Sequence, residues 1–403
     1  MQNNSFDLII IGAGPGGYVG AIRASQLGMN VACIEKRPTL GGTCLNVGCI
    51  PSKALLNASE HFANAASGTL GKLGISLGSV ALDLKQMMQS KSDIVDTLTG
   101  GIDFLFKKNK ITRLEGSATI TGAGSVTIVD GKDKGDYKAG KIMIATGSHP
   151  SSLPGITIDE KHIVSSTGAL SLETLPKKMV VIGAGYIGLE LGTVWARLGA
   201  EVEVIEFLPR ILPGMDAEIA KKFMTIAKKQ GLKFRLSTAV KSAKAGKNGV
   251  SLTVTPANGG DEETIKADIA LVSVGRHPAT DGLGLEKIGV TMTPRGRIAV
   301  DARFETSIED IYAIGDVIDG PMLAHKAEED AVAAVEMMAG KPGHVDYDLV
   351  PGIVYTAPEI ATLGKSEEAL TEAGVDFAKG VFPFSANSRA RAQGHSDGFV
   401  KIL

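Results

Sequence analysis

An α/β fold built on two Rossmann-like dinucleotide-binding domains is predicted by three observations. The first is an internal duplication: Phe6–Lys36 and Lys178–Phe207 both read strand, glycine turn, helix, strand, acid. The second is the spacing within it, since Gly12 to Glu35 and Gly183 to Glu206 are both 23 residues. The third is a shared ending. Lys141–Pro150 and Ala267–Pro278 are apolar strands that close on a glycine, with His-Pro two residues later.

Each element has a physical reason. A lone GxGxxG is a weak signal, but here each copy follows an apolar strand and opens an amphipathic helix. The first glycines, Gly12 and Gly183, allow the tight turn. Gly14 and Gly185 let backbone approach a pyrophosphate, and Gly17 and Gly188 let helix and strand pack closely. The helix N-termini offer free N–H groups and a positive dipole end to phosphate. Glu35 and Glu206 end the second strands, where a carboxylate accepts from ribose hydroxyls. Short alternating stretches with turn signals, Ile111–Tyr137 and Leu232–Lys266, read as antiparallel β-meanders appended to parallel sheets. Ser52–Asn109 reads as a helical insertion in the first copy. The segment IEDIYAIGDV is a strand ending at Gly315-Asp316, and a helix is expected from near Pro321. An Asp at such a strand end lies where open α/β sheets bind ligands.

Composition bounds the function. The 403 residues suggest two or three domains. Hydrophobic content of 44% and net charge of −2 give no sign of a nucleic-acid or membrane-surface partner. No signal peptide or membrane span is evident, and a cytoplasmic protein is expected. Three cysteines are no secreted disulfide framework. Cys33, among Val31, Ala32 and Ile34, reads as a buried inert thiol.

Cys44 and Cys49 lie five positions apart just after the first fingerprint. A bridge between them is incompatible with a regular helix, because bridged Cα atoms lie ~4.4–6.8 Å apart and five helical steps of ~1.5 Å exceed that. The stretch is therefore expected to be irregular, with Gly41, Gly42 and Gly48 supplying freedom and Pro51 starting the next helix. A dithiol beside a dinucleotide reads as a redox relay; the alternative is two unrelated cysteines in a loop.

The stretch GGTCLNVGCIPSKALL (41–56), with the paired fingerprints, ATGS and AIGD, closely resembles the flavoprotein disulfide reductases. Within them the chain is similar to the dihydrolipoamide dehydrogenases. The glutathione-reducing branch usually has Lys where this chain has Ser52, and GAGYIGLELGTVWARLG and ILPGMDAEI also read like the lipoamide branch.

The resemblance implies a FAD domain over 1–150 and 279–345, a NAD domain over 151–278, and part of an α+β interface domain over 346–403. FAD would be bound by Gly12, Gly14, Gly17, Glu35, Lys36, Gly42, Thr43, Lys53, Gly116, Thr146, Gly147 and Asp316. Met322, Leu323, Ala324 and His325 would lie near its ring. NAD would meet Gly183, Gly185, Tyr186, Gly188, Glu206, Val240 and Gly275. Cys49 would stand next to the flavin and Cys44 would exchange with substrate, while Lys53 would pair with Glu190 near the reactive flavin nitrogen. Tyr186 reads either as a lid over the nicotinamide pocket or as simple packing.

The implied activity is oxidation of dihydrolipoamide with reduction of NAD+. The implied partner is the lipoyl domain of an acyltransferase in a 2-oxo acid dehydrogenase complex, and the implied assembly a homodimer. The rivals are a reductase of glutathione or mercuric ion and a catalytically silent cofactor-binding scaffold. Family members normally continue past a segment like Gly398–Leu403, through a His-Pro-Thr segment whose His acts as acid–base catalyst. None of His61, His149, His162, His277, His325, His344 and His395 lies in such a segment. A truncated form is thus expected, lacking the His-Glu base, binding FAD weakly and oxidising dihydrolipoamide slowly. The final strand is expected to end unpaired.

Overall fold

The computed structural model describes residues 4–403. The chain divides into two compact units. The first comprises 4–51, 92–149 and 276–350, and the second 52–91, 150–275 and 351–403.

The first unit is built on a parallel sheet in the order Thr112–Glu115, Val31–Glu35, Ser5–Ile11, Gly135–Ile144, Ile311–Ala313. Its central strands are apolar on both faces. Leu8, Ile9, Ile10, Ile142, Met143 and Ile144 are all fully buried. Gly135–Ile144 joins the parallel and antiparallel parts of one seven-stranded sheet. Its first half pairs antiparallel with Ser125–Ile128, and its second half pairs parallel with Ser5–Ile11. The expected meander is shorter than the sequence suggests. Thr112–Glu115 joins the parallel sheet as its edge, and only Ala118–Gly122, Ser125–Ile128 and the start of Gly135–Ile144 run antiparallel. Strand length alone cannot tell these pairings apart. Helices Pro15–Gln26 and Ala324–Met338 pack together. The close approach needs Gly16, where a Cβ would meet the Ala327 carbonyl at 2.9 Å.

The second unit repeats the plan. Its parallel sheet runs Lys233–Arg235, Glu201–Ile205, Lys178–Ile182, Ile269–Val272, Ile163–Val164. Thr238–Gly246, Gly249–Pro256 and Glu263–Ala267 form the antiparallel insertion. Lys233–Arg235, read above as meander, again belongs to the parallel edge. The insertion after the cysteines is helical as expected, over Cys49–Ala66 and Leu84–Lys108. Near the end of the chain, Gly380–Pro383 and Phe399–Ile402 pair antiparallel. The expectation of an unpaired last strand therefore fails, because the Phe382-Pro383 segment that pairs with it gives no long strand signal. No helix among the described residues is long and apolar enough to cross a membrane.

Candidate active site

The dithiol stretch is two helices rather than a loop. Gly42–Val47 and Cys49–Ala66 break at Gly48, whose φ of −140° and ψ of −107° leave the helical region. The break sets the Cys44 and Cys49 Cα atoms 4.6 Å apart, and the two sulfurs are bonded. The irregularity the spacing requires is thus concentrated in one residue. A Cβ on Gly48 would meet the Thr43 carbonyl at 2.9 Å, so no side chain fits there.

The same stretch is pressed onto the first fingerprint. Gly41 N–H donates to the Ala13 carbonyl at 2.8 Å. Gly42 has φ +57°, and a Cβ on it would collide with Gly14 Cα. Asn46 seals the turn by donating to the Leu40 and Gly42 carbonyls at 3.0 and 2.8 Å. Glycine at 14 and at 42 therefore brings the dithiol helix beside the phosphate-binding turn. Thr43 is half-buried and Lys36 exposed on this side.

The two fingerprints are alike down to hydrogen bonds. Glu35 accepts from Ala13 N–H and Arg37 N–H, both at 2.9 Å. Glu206 accepts from Ala184 N–H at 2.7 Å and Leu208 N–H at 2.9 Å. Each buried carboxylate keeps further lone pairs, since an ionised carboxylate offers about four acceptor sites. A Cβ on Gly17 would strike the Gly12 carbonyl, and one on Gly188 the Gly183 carbonyl. At Gly185 nothing lies within 4 Å, and at Gly14 only Gly42 Cα does, at 3.9 Å. Helices Pro15–Gln26 and Tyr186–Leu198 have glycine N-caps and no side-chain cap, which leaves their first amides for a ligand. Open glycine backbone, uncapped amides and an acid at the strand end fit a dinucleotide in each copy. No metal-binding cluster occurs among the described residues.

Other candidates fall into place around these turns. Ser148 Oγ donates to Asp316 Oδ2, and Arg276 donates to Ser148 Oγ at 2.7 Å and to its carbonyl at 2.6 Å. Thr146 Oγ1 donates to the Ala279 carbonyl at 2.7 Å, and around Gly147, at φ +74°, the space is open. Gly116 has φ +154°; a Cβ there would strike the Asp130 carbonyl, so its glycine has a packing cause. The helix expected from near Pro321 starts later, at Ala324, after an extended Leu323. Met322 and Leu323 therefore precede it, and Ala324 and His325 form its first turn. The paired strand ends bring His149 and His277 to a ring separation of 5.8 Å. Burial, then Lys36, His277, Arg276 and Arg37, hold His149 below its ordinary value, so it is neutral at pH 7.

In the second unit, Glu190 is a buried junction. Ser52 Oγ donates to its Oε2 at 2.9 Å, Tyr355 N–H to its Oε1 at 3.0 Å, and Lys53 Nζ lies 3.5 Å from Oε2. The Lys53 ammonium also sits 3.9 Å from the centre of the Tyr355 ring. Sequence reading paired Lys53 with Glu190 but missed Tyr355, because its contact spans 165 residues. Tyr186 is half-buried; its hydroxyl is 3.6 Å from where a Cβ would stand on Gly214 or Gly352. Gly275, at φ +116°, is open to solvent, and Val240 adjoins a bulge. Arg210 donates to the Leu212 and Met215 carbonyls of its own loop.

Residues 6–331 match the pyridine nucleotide-disulphide oxidoreductases, and residues 350–403 their dimerisation domain. The mitochondrial dihydrolipoyl dehydrogenase of Pisum sativum is 56% identical over 98% of this chain and 79% of its own length. That of Homo sapiens is 53% identical over 98% and 79%. This chain belongs to the pyridine nucleotide-disulphide oxidoreductase family, in its dihydrolipoyl dehydrogenase branch. The solved structure of LpdA from Mycobacterium tuberculosis superposes with a TM-score of 0.89 at 25% identity, over 98% of this chain and 86% of that one.

The family membership makes this a flavoprotein oxidoreductase that uses FAD and NAD. Its reaction oxidises dihydrolipoamide to lipoamide and reduces NAD+ through a redox-active disulfide. The expected cytoplasmic location is overturned, since the pea and human relatives are mitochondrial by name. Modest charge and few cysteines do not tell one thiol-reducing compartment from another.

Proposed function

We propose that this enzyme takes its electrons from a lipoyl domain of an acyltransferase in a 2-oxo acid dehydrogenase complex, and works as a homodimer. The observation that carries the reading is the Cys44–Cys49 bridge held against the first glycine turn. The match of 350–403 to a dimerisation domain supports the dimer.

A substrate thiolate attacks Cys44 Sγ, the Sγ–Sγ bond breaks, and Cys49 leaves as a thiolate. The second substrate thiol then attacks the mixed disulfide, releasing lipoamide and the Cys44 thiol. Cys49 opens the helix Cys49–Ala66, so the helix dipole favours its thiolate. Lys53 lies one turn further along that helix, and Glu190 and Tyr355 hold its charge in place. FAD bound here would supply the two-electron acceptor between the dithiol and NAD+. Gly12, Gly14, Gly17, Glu35, Thr146, Gly147 and Asp316 would hold FAD, and Gly183, Gly185, Gly188, Glu206 and Gly275 would hold NAD. Lys36, Gly42, Thr43 and Gly116 line the adenosine and pyrophosphate side, with Met322, Leu323, Ala324 and His325 toward the ring; Tyr186 and Val240 border the NAD turn.

The test is steady-state reduction of NAD+ by a free lipoyl domain in its dithiol form, by dihydrolipoamide and by reduced glutathione. A rate with the lipoyl domain at least equal to that with free dihydrolipoamide supports the reading. Preference for glutathione, or monomeric sedimentation at micromolar concentration, defeats it.

A further inference from the structure

A fully buried lysine lies where the reaction needs none. Lys326 is 0% exposed, in the first turn of the helix Ala324–Met338, and its ion-pair partner Asp330, one turn on, is also 0% exposed. The pair is 2.8 Å apart. Such a pair stabilises less than apolar side chains of the same volume would, because both charges lose their water. Burial accordingly pulls the Lys326 ammonium below its ordinary value, against the opposing field of Asp330.

The hydrogen bonds around the pair converge on one residue, Gly315, and so on the two peptide units that flank it. Lys326 Nζ donates to the Gly315 carbonyl at 3.0 Å and to the Asp319 carbonyl at 3.4 Å. Asp330 Oδ2 accepts from Gly315 N–H at 3.0 Å. Both polar groups of Gly315, at φ +72°, are thus captured by one helix. Tyr347 fixes the other carboxylate oxygen, its hydroxyl donating to Asp330 Oδ1 at 2.9 Å, and its ring centre lies 4.9 Å from the ammonium. Gly320 leaves room for this arrangement; a Cβ there would stand 3.0 Å from Lys326 Cε and 3.1 Å from the Tyr347 ring. The residue after Gly315 is Asp316, whose carboxylate is aimed at Ser148.

We propose that Lys326, Asp330 and Tyr347 form a clamp that orients the Gly315-Asp316 turn for the ribityl chain of FAD. They are positioning residues, and the inference rests on Asp316 binding that chain. An apolar core would hold the helix as well; only a donor and an acceptor at these two places can pin both the N–H and the carbonyl of Gly315.

Single replacements strand a buried charge and risk misfolding, so the informative variant is the double Lys326→Met/Asp330→Leu in the full chain. Flavin-free protein is titrated with FAD and, separately, with ADP, which occupies only the adenosine and pyrophosphate half. Its melting temperature is recorded without ligand. The clamp predicts a dissociation constant for FAD raised tenfold or more and an unchanged one for ADP, whatever the change in melting temperature. Tyr347→Phe should weaken FAD in the same selective way but less. Unchanged FAD affinity in the double variant overturns the clamp, and so does equal weakening of FAD and ADP with a lowered melting temperature. Asp316→Ala separates the two readings. If it loosens FAD while the double variant does not, the clamp alone fails; if it leaves FAD affinity unchanged, the ribityl assignment fails and the clamp with it.

Discussion

Cys33 and the Cys44–Cys49 pair show how environment assigns chemistry to identical side chains. Cys33 is fully buried in a strand, and burial, then the charge of Glu35, push its thiol far above the ordinary value. It carries no thiolate at neutral pH. Alkylation after mild reduction should label Cys44 and Cys49 and leave Cys33 intact by peptide mass, and Cys33→Ser should leave the long-wavelength thiolate-to-flavin band in place while Cys49→Ser abolishes it. Labelling of Cys33 at a comparable rate would contradict this. Coenzyme choice is also decided by single residues. Glu206 is expected to repel a 2′-phosphate, and Arg210 donates to backbone carbonyls of its own loop. The kcat/KM for NADH should exceed that for NADPH by about a hundredfold or more, ~2.8 kcal/mol of discrimination. Comparable values would show that another cation serves the phosphate.

At the scale of elements, the junction of glycine turn and dithiol helix is the sensitive place. Gly42 has φ +57° and no space for a Cβ against Gly14. Gly42→Ala should cost about 1–3 kcal/mol from the backbone conformation alone, and should also displace the dithiol helix. The expected outcome is a colourless protein that retains NAD binding, since the second fingerprint lies in the other unit. Normal flavin content in that variant would show the approach is not needed. The Glu190 junction is a second such element. Glu190→Gln leaves the Ser52 and Tyr355 hydrogen bonds possible but removes the charge opposite Lys53. Flavin reduction by NADH should slow and its potential change, while melting temperature shifts little. An unchanged rate and spectrum would place this pair away from the flavin.

Across the whole molecule, charge ties distant segments of the second unit together. Lys401 bridges Asp216 at 2.8 Å, Glu218 at 3.2 Å and Glu367, and Lys379 joins Glu218 and Glu367 at 2.7 and 2.9 Å. Burial disfavours the charge of Asp216, but donors from Lys401, Glu367 N–H and Ile219 N–H outweigh it and hold the carboxyl below its ordinary value. Burial likewise opposes the Lys401 ammonium, and its three carboxylate partners reverse the effect and raise it. The signs give two limbs. The depressed carboxylate contributes stability that is present above its unfolded value of about 3.9 and is lost as pH falls through its folded value. The raised lysine contributes stability that is present below about 10.4 and is lost as pH rises through its folded value. Lys401→Met should therefore lower stability most between about pH 5 and pH 10, and the gap to wild type should shrink toward pH 3. Urea unfolding at several pH values reads this directly; a gap independent of pH would exclude the linkage.

What the amino-acid sequence determined by itself was whatever is local or periodic. The two strand–turn–helix units with their glycines and acids, and the strand end at Asp316, follow from short-range sterics and from apolar patterning, and the dithiol pair was legible through its resemblance to a family signature. The need for an irregular stretch between Cys44 and Cys49 followed from disulfide geometry. That both flanks stay helical, with the break confined to Gly48, did not, because spacing alone does not tell a one-residue break from a loop. Only the tertiary structure decided long-range partnerships: Tyr355 on Glu190, Lys326 and Asp330 around Gly315, Lys401 on Asp216, and the parallel pairing of Thr112–Glu115 and Lys233–Arg235. A lysine in an amphipathic helix reads as a solvated charge, and nothing nearby in the chain marks Lys326 as buried. Its burial is decided by the Gly315 turn and Tyr347 that pack over it, and such contacts exist only once the chain has closed on itself.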